Sequence, residues 1–154
     1  MVSAVKAVDV AASILHLSGF VTTMKLQKMV FYAQVEHLHL LEVPFFTDRI
    51  EAWIHGPVIP ELFQHHRGKF LLNSTDLDHV GDSKKLSVQQ REIVKSISGK
   101  FADWTGEDLR ERVHSEKPWK NARRGLLPRE PGSIENTKDA IREFYSHGVV
   151  RREA

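Results

Sequence analysis

Thr22-Thr23-Met24-Lys25-Leu26-Gln27-Lys28-Met29-Val30-Phe31-Tyr32-Ala33-Gln34-Val35-Glu36-His37-Leu38-His39-Leu40-Leu41-Glu42 is the strongest helical stretch in the chain. Leu26, Met29, Val30, Ala33 and Leu40 recur at spacings of three, four and seven, which places them on one side of a helix, and His37 shares that stripe. Thr22 or Thr23 can cap the free N–H groups of the first turn, and Pro44 opposes continuation beyond about Glu42. One apolar side on a helix this long must be buried, so the sequence predicts a mainly α, single-domain helical bundle built around it.

The flanking sequence supplies the other helices. Ala4 to Leu17 carries Val5, Val8, Ala12 and Leu15 on one side and stops at Ser18-Gly19. Pro60 can open a helix over Glu61–His66 that Gly68 ends. Ser87 with Gln90, and Thr105 with Asp108, have the spacing of capping boxes, for helices reaching about Trp104 and Val113. The first of these carries Val88, Ile93, Val94 and Ile97 as its apolar positions. Pro118 can start a further helix ending near Gly125, and Ser133 can cap a last one to about His147, closed by Gly148, with Ile134, Ile141, Phe144 and Tyr145 buried. Arg49 to Ile54 alternates polar and apolar residues, so at most a short β element is expected near residues 49–54, followed by a turn at Gly56-Pro57. Lys69 to Lys85 shows no period and reads as an irregular surface excursion, and the segment holding Pro128 and Pro131 reads as a loop.

Composition removes whole classes of function. The 154 residues are 41% hydrophobic and 27% charged, an ordinary balance for one folded domain over residues 1–154. No apolar run approaches the ~20 residues that cross a bilayer, and no signal-peptide pattern opens the chain, so a cytoplasmic protein without a membrane partner is expected. With no cysteine, disulfides, thiol nucleophiles and cysteine-based metal sites are excluded. The net charge of +2 does not by itself indicate a nucleic-acid binder. Nine histidines raise the question of a metal, but His37 with His39, and His65 with His66, point to different sides, and no metal is predicted.

Three ordered stretches resemble a known family. Met24-Lys25-Leu26-Gln27-Lys28-Met29-Val30-Phe31-Tyr32-Ala33-Gln34 is followed by Ile50-Glu51-Ala52-Trp53-Ile54-His55-Gly56-Pro57-Val58-Ile59-Pro60, and then by His114-Ser115-Glu116-Lys117-Pro118-Trp119-Lys120-Asn121-Ala122-Arg123. Together they are similar to the Panacea domain of the SocA-like antitoxins, from toxin–antitoxin systems of bacteria and phages. Where that family commonly has a small residue and then an aromatic, this chain has Val35 and Glu36. The resemblance implies a non-enzymatic protein that neutralises a cognate toxin by binding it, with no cofactor. One branch of the family is similar to an adaptor that delivers its toxin to a Clp protease.

Each motif residue admits a structural and a functional reading. Trp53, with an apolar body and an N–H donor, suits core packing or a partner anchor. Gly56 and Pro57 suit backbone shaping, and Gln27, Lys28 and Gln34 are polar residues on or beside an apolar helix, where half-buried amide side chains suit the satisfaction of backbone groups in a neighbouring loop. Lys25 and Lys28, three apart, could join Gln34 in a polar contact surface for the toxin. His55, His114, Glu116, Trp119 and Arg123 complete the candidate partner-binding set. His114 and Glu116 invite a hydrolase reading, but no nucleophile motif accompanies them. The structural alternative has Glu116 favouring the N-terminus of the helix that Pro118 starts, with His114 bonding across the joint. Arg110, Arg112, Lys117, Lys120, Arg123 and Arg124 form a local basic density, read as a solvated helix face or an acidic-toxin contact, with specific DNA binding the weaker alternative.

Overall fold

The computed structural model describes residues 4–127, 131–132, 134–145 and 149. Within them the chain is mainly α. The helices are α1 (Ala7–Ser18), α2 (Thr23–Leu41), α3 (Pro60–His66), α4 (Ser74–Leu77), α5 (Val88–Lys100), α6 (Gly106–Ser115), α7 (Lys117–Ala122) and α8 (Lys138–Phe144). Four short strands accompany them, β1 (Val21–Thr22), β2 (Glu51–Trp53), β3 (Gly56–Val58) and β4 (Leu71–Leu72). None of these helices is long and apolar enough to cross a membrane.

Helix α2 is the axis of the molecule, packed against α1, α5, α6, α8 and β3. Thr22 caps it, its hydroxyl accepting from Lys25 N at 3.2 Å, and Glu42 ends it in the left-handed region at φ 62°. The expected single apolar stripe is corrected here, because every residue from Leu26 to Leu38 is buried. A helix surrounded on all sides buries its polar residues too, so Gln27, Lys28, Gln34, Glu36 and His37 lie inside. Leu40, expected in the stripe, is exposed, since the last turn runs past the helices that cover the rest. The core continues into α1 through Val10, Ile14 and Leu15, into α5 through Ile93, Val94 and Ile97, and into α6 through Leu109 and Val113. Val88 points to solvent instead.

Both predicted capping boxes are present. Ser87 pairs with Gln90, and Thr105 with Asp108, each side chain bonded to the other residue's backbone N–H. Helix α5 ends at Lys100, with Trp104 beyond it.

The β content exceeds the single short element expected. Strands β2 and β3 form an antiparallel hairpin, pairing Glu51 with Val58 and Trp53 with Gly56, so the turn is Ile54-His55 and the predicted turn residues Gly56-Pro57 belong to the second strand. Gly56 takes φ +123°, which an L side chain resists. Residues 134–136 extend the other edge of β2, with Ala52 N donating to Ile134 O and Asn136 N to Ile50 O, both at 2.8 Å. A second ladder joins β1 to β4, Val21 opposite Leu72.

That ladder, together with α4 and a 3-10 turn at Ser83–Lys85, replaces the irregular excursion expected between Lys69 and Lys85. Its order comes from polar brackets: Asn73 caps α4, and the buried Asp9 of α1 accepts from Asp82 N at 2.8 Å. Thr137, not Ser133, caps the last helix, which buries Ile141 while Ile134 and Phe144 stay exposed. Pro128, Ser133, His147 and Gly148 lie outside the described residues.

Candidate functional site

The first turn of α2, the β2–β3 hairpin and α3 surround a cavity of about 590 Å³. Met24, Trp53, Ile54, Val58, Phe63 and Pro131 give it apolar walls, and Gln27, Lys28, Glu51, His55 and His66 are the polar residues along it. Trp53 is half-buried, its ring edge-on to Phe63 at 5.2 Å and its indole N–H donating to Glu51 Oε1 at 2.9 Å. It is therefore a cavity wall and not a buried core residue. Arg49 holds the same Glu51 carboxylate at 2.9 Å.

Most of the remaining motif residues act as internal braces. Gln27 accepts from Ile59 N at 2.9 Å, and its amide N–H₂ reaches Ile59 O at 3.4 Å and His66 Nε2 at 2.9 Å. Gln34 does the same for the segment after α2, accepting from Phe45 N at 2.6 Å and donating to Phe46 O at 2.7 Å. A primary amide has one acceptor and two N–H donors, which is what two adjacent backbone groups of a buried loop require. Gln34 is 0% exposed, so it contributes no surface to a partner in this conformation. The expected polar face of Lys25, Lys28 and Gln34 is thus divided: Lys25 is partly exposed and bonds Ala102 O, Lys28 is buried along the cavity, and Gln34 is inside.

The C-terminal signature holds the hairpin from outside. The Trp119 indole N–H donates to Trp53 O at 2.8 Å, and the buried Arg123 guanidinium donates to Ala52 O at 3.1 Å while lying over the Trp119 ring. His114 stacks on Trp119 with ring centroids 3.8 Å apart. Pro118 sits in the first turn of α7, where its missing N–H costs nothing.

His114 and Glu116 turn to different partners. Glu116 Oε1 accepts from the hydroxyls of Tyr32 and Tyr145, and Oε2 faces Arg112 at 3.6 Å. Glu116 is the N-cap residue of α7, as its expected place at that helix terminus requires, but its side chain makes no capping hydrogen bond. Arg112 in turn lies over the rings of Tyr32, Phe101 and Trp104. Burial and the adjacent carboxylate push both tyrosine hydroxyls well above the ordinary phenol range. His114 faces the hairpin, where Ile54 provides a backbone hydrogen bond, and its Nε2 is buried without a partner among the described residues. Burial, then the neighbouring Arg110, holds its pKa down to about 4, so the ring is neutral at pH 7. Lys28 is shifted the same way, to about 7, by burial and then by Arg110. His55 Nδ1 accepts from Arg110 Nε at 3.1 Å.

A further feature escaped the sequence reading. Phe20, Phe70 and Leu71 are 69%, 77% and 49% exposed, and all three belong to the β1–β4 ladder or its immediate flanks. Thr23, which lines the cavity, bonds Phe70 O through its backbone N–H at 2.9 Å, so the backbone at Phe70 joins a cavity-lining residue. Large apolar side chains exposed along one short ladder are candidates for a contact surface. The signal was the run Phe70-Leu71-Leu72 within an otherwise polar stretch, matched by Phe20-Val21 after Gly19.

Residues 26–120, from α2 into α7, match the family model described as antitoxin SocA-like, Panacea domain. No curated protein and no solved structure matches the chain.

Proposed function

The chain belongs to the SocA-like antitoxin family through its Panacea domain, and from that premise we propose that it neutralises a cognate toxin by direct, non-enzymatic binding in the cytoplasm. The family match over residues 26–120 carries this reading. The exposed apolar patch at Phe20, Phe70 and Leu71, with Trp53 and His55 at the neighbouring cavity, supports a location for the contact. Lys25, partly exposed on the same helix, supplies a cationic flank. Gln34, Glu116, Trp119 and Arg123 serve that surface indirectly, by holding the hairpin and α2 in place.

Co-expression with the neighbouring open reading frame tests the proposal. The expected result is growth arrest by the neighbour alone, relief by this chain, and a stoichiometric complex on gel filtration. His114→Ala retains neutralisation. Occlusion keeps the toxin intact in the complex, whereas delivery to a Clp protease lowers toxin level only in cells that have the protease. Relief of toxicity with no complex formed would overturn direct binding.

A further inference from the structure

Lys28 poses a problem that the braces around it do not solve. It is 1% exposed, yet among the described residues nothing accepts a hydrogen bond from its ammonium and no carboxylate pairs with it. Its stem lies along Gly56, where an added Cβ would sit 2.9 Å from Cε and 3.2 Å from Nζ. The titratable groups packed around it do not compensate its charge. Arg110 and His114 come from α6, His55 from the hairpin turn and His66 from α3, and none is an anion. Glu51 also lines the cavity, but Arg49 and the Trp53 indole already hold its carboxylate. A buried ammonium without a counter-charge is costly, and an anion brought to it from solution offsets that cost.

The walls define the rest of such an anion. Beyond the polar groups near Lys28 the cavity has apolar walls, formed by Met24, Trp53, Ile54, Val58, Phe63 and Pro131, and its volume of about 590 Å³ falls in the range of small-molecule sites. A single buried cation matches a single negative charge, whereas a phosphate would bring more charge and more acceptor atoms than this lining satisfies. We propose that the cavity binds a small organic monoanion, a carboxylate carried on an aromatic or branched aliphatic body, with Lys28 as its ion-pair partner. Such binding needs no toxin and is tested without one, although Trp53 and His55 line the same cavity.

The test titrates the purified full chain with phenylacetate, indole-3-acetate and 4-methylpentanoate, and with phenylacetamide, indole-3-acetamide and 4-methylpentanamide, following the Trp53 indole N–H resonance. At pH 6 each acid is expected to bind at least about tenfold more tightly than its amide, since the charge-assisted bond is the part the amide lacks. At pH 8, calorimetry in two buffers of different ionisation enthalpy should show net proton uptake on binding of the acid, as the carboxylate recharges Lys28. Lys28→Met should bring the acids to the affinity of the amides. If Lys28→Met does not fold, the acid–amide comparison on the unmodified chain decides. Equal affinity of acid and amide, or an unmoved Trp53 resonance at millimolar acid, would overturn the assignment.

Discussion

Two motif residues, His114 and Lys28, set how stability responds to pH. His114 has a folded pKa of about 4 against an ordinary 6.5, so below neutrality the unfolded chain takes up a proton that the folded chain refuses. The unfolded state then binds more protons, and stability falls as pH drops from about 6.5 toward 4. His37 and His66, also held down by burial, act in the same direction. His114→Phe keeps a ring on Trp119 and removes one of these protons, so its urea midpoint is expected to fall less steeply between pH 7 and 5 than that of the unmodified protein. Lys28 works on the alkaline side. Its folded pKa of about 7 lies below the ordinary 10.5, so stability rises with pH from about 7 upward, and Lys28→Met is expected to flatten that rise between pH 7 and 9. The buried glutamines are tested differently. Gln34→Leu fills the same volume but leaves Phe45 N–H and Phe46 C=O buried without partners, and each such group costs about 1–3 kcal/mol. Chemical denaturation should register a loss of that order, with a comparable one for Gln27→Leu at Ile59.

At the scale of elements, what could be read from the sequence was whatever is decided within one turn of chain. Ser87 with Gln90 and Thr105 with Asp108 announce helix starts because the cap and its partner lie three residues apart, and the structure has both. Removing either hydroxyl, by Ser87→Ala or Thr105→Ala, is expected to cost about 1 kcal/mol in thermal or urea unfolding. Other elements depend on distant chain. The β1–β4 ladder joins residues fifty apart with two pairs, a length at which alternation carries no signal. The hairpin turn was expected at Gly56-Pro57 because those residue types favour turns, yet Gly56 is needed in the strand, where its positive φ and missing Cβ make room for Lys28. The all-round burial of α2 was only partly legible: its glutamines could be read as satisfying backbone groups of a neighbouring loop, as they do at Ile59 and Phe46, but which loop, and the burial of Glu36 against Val149, depend on distant parts of the chain. Gly81 is a tertiary requirement of the same sort. A Cβ there would meet Val8 O at 2.4 Å, so Gly81→Ala is expected to push α1 from its seat and cost about 1–3 kcal/mol.

For the whole molecule, the separation between what holds the fold and what meets a partner leads to the last prediction. The motif residues that define the family resemblance are largely spent inside, on Ile59, Phe45, Phe46, Ala52 and Trp53 backbone and on the Glu116 cluster with Tyr32 and Tyr145. A common interior of this kind leaves the outer side chains free to vary without loss of the fold. Phe20 and Phe70 are in that outer set, exposed on the flanks of the β1–β4 ladder and absent from the buried core. Replacing them should therefore leave stability within about 0.5 kcal/mol, as at other surface positions, while an aromatic anchor at the centre of an interface costs 2 kcal/mol or more when lost, as an order-of-magnitude estimate of ~30-fold or greater in affinity. Phe20→Ser with Phe70→Ser is expected to unfold at the temperature of the unmodified chain and to bind the neighbouring gene's toxin at least about thirtyfold more weakly, with neutralisation lost in co-expression. The internal control is Trp119→Phe, which removes the donor to Trp53 O but leaves the patch untouched. It should lower thermal stability and leave toxin affinity unchanged at temperatures where the variant is folded. A reversed pattern, with Trp119→Phe weakening binding and the Phe20 and Phe70 changes only lowering stability, would move the contact from the β1–β4 face to the outer side of α7.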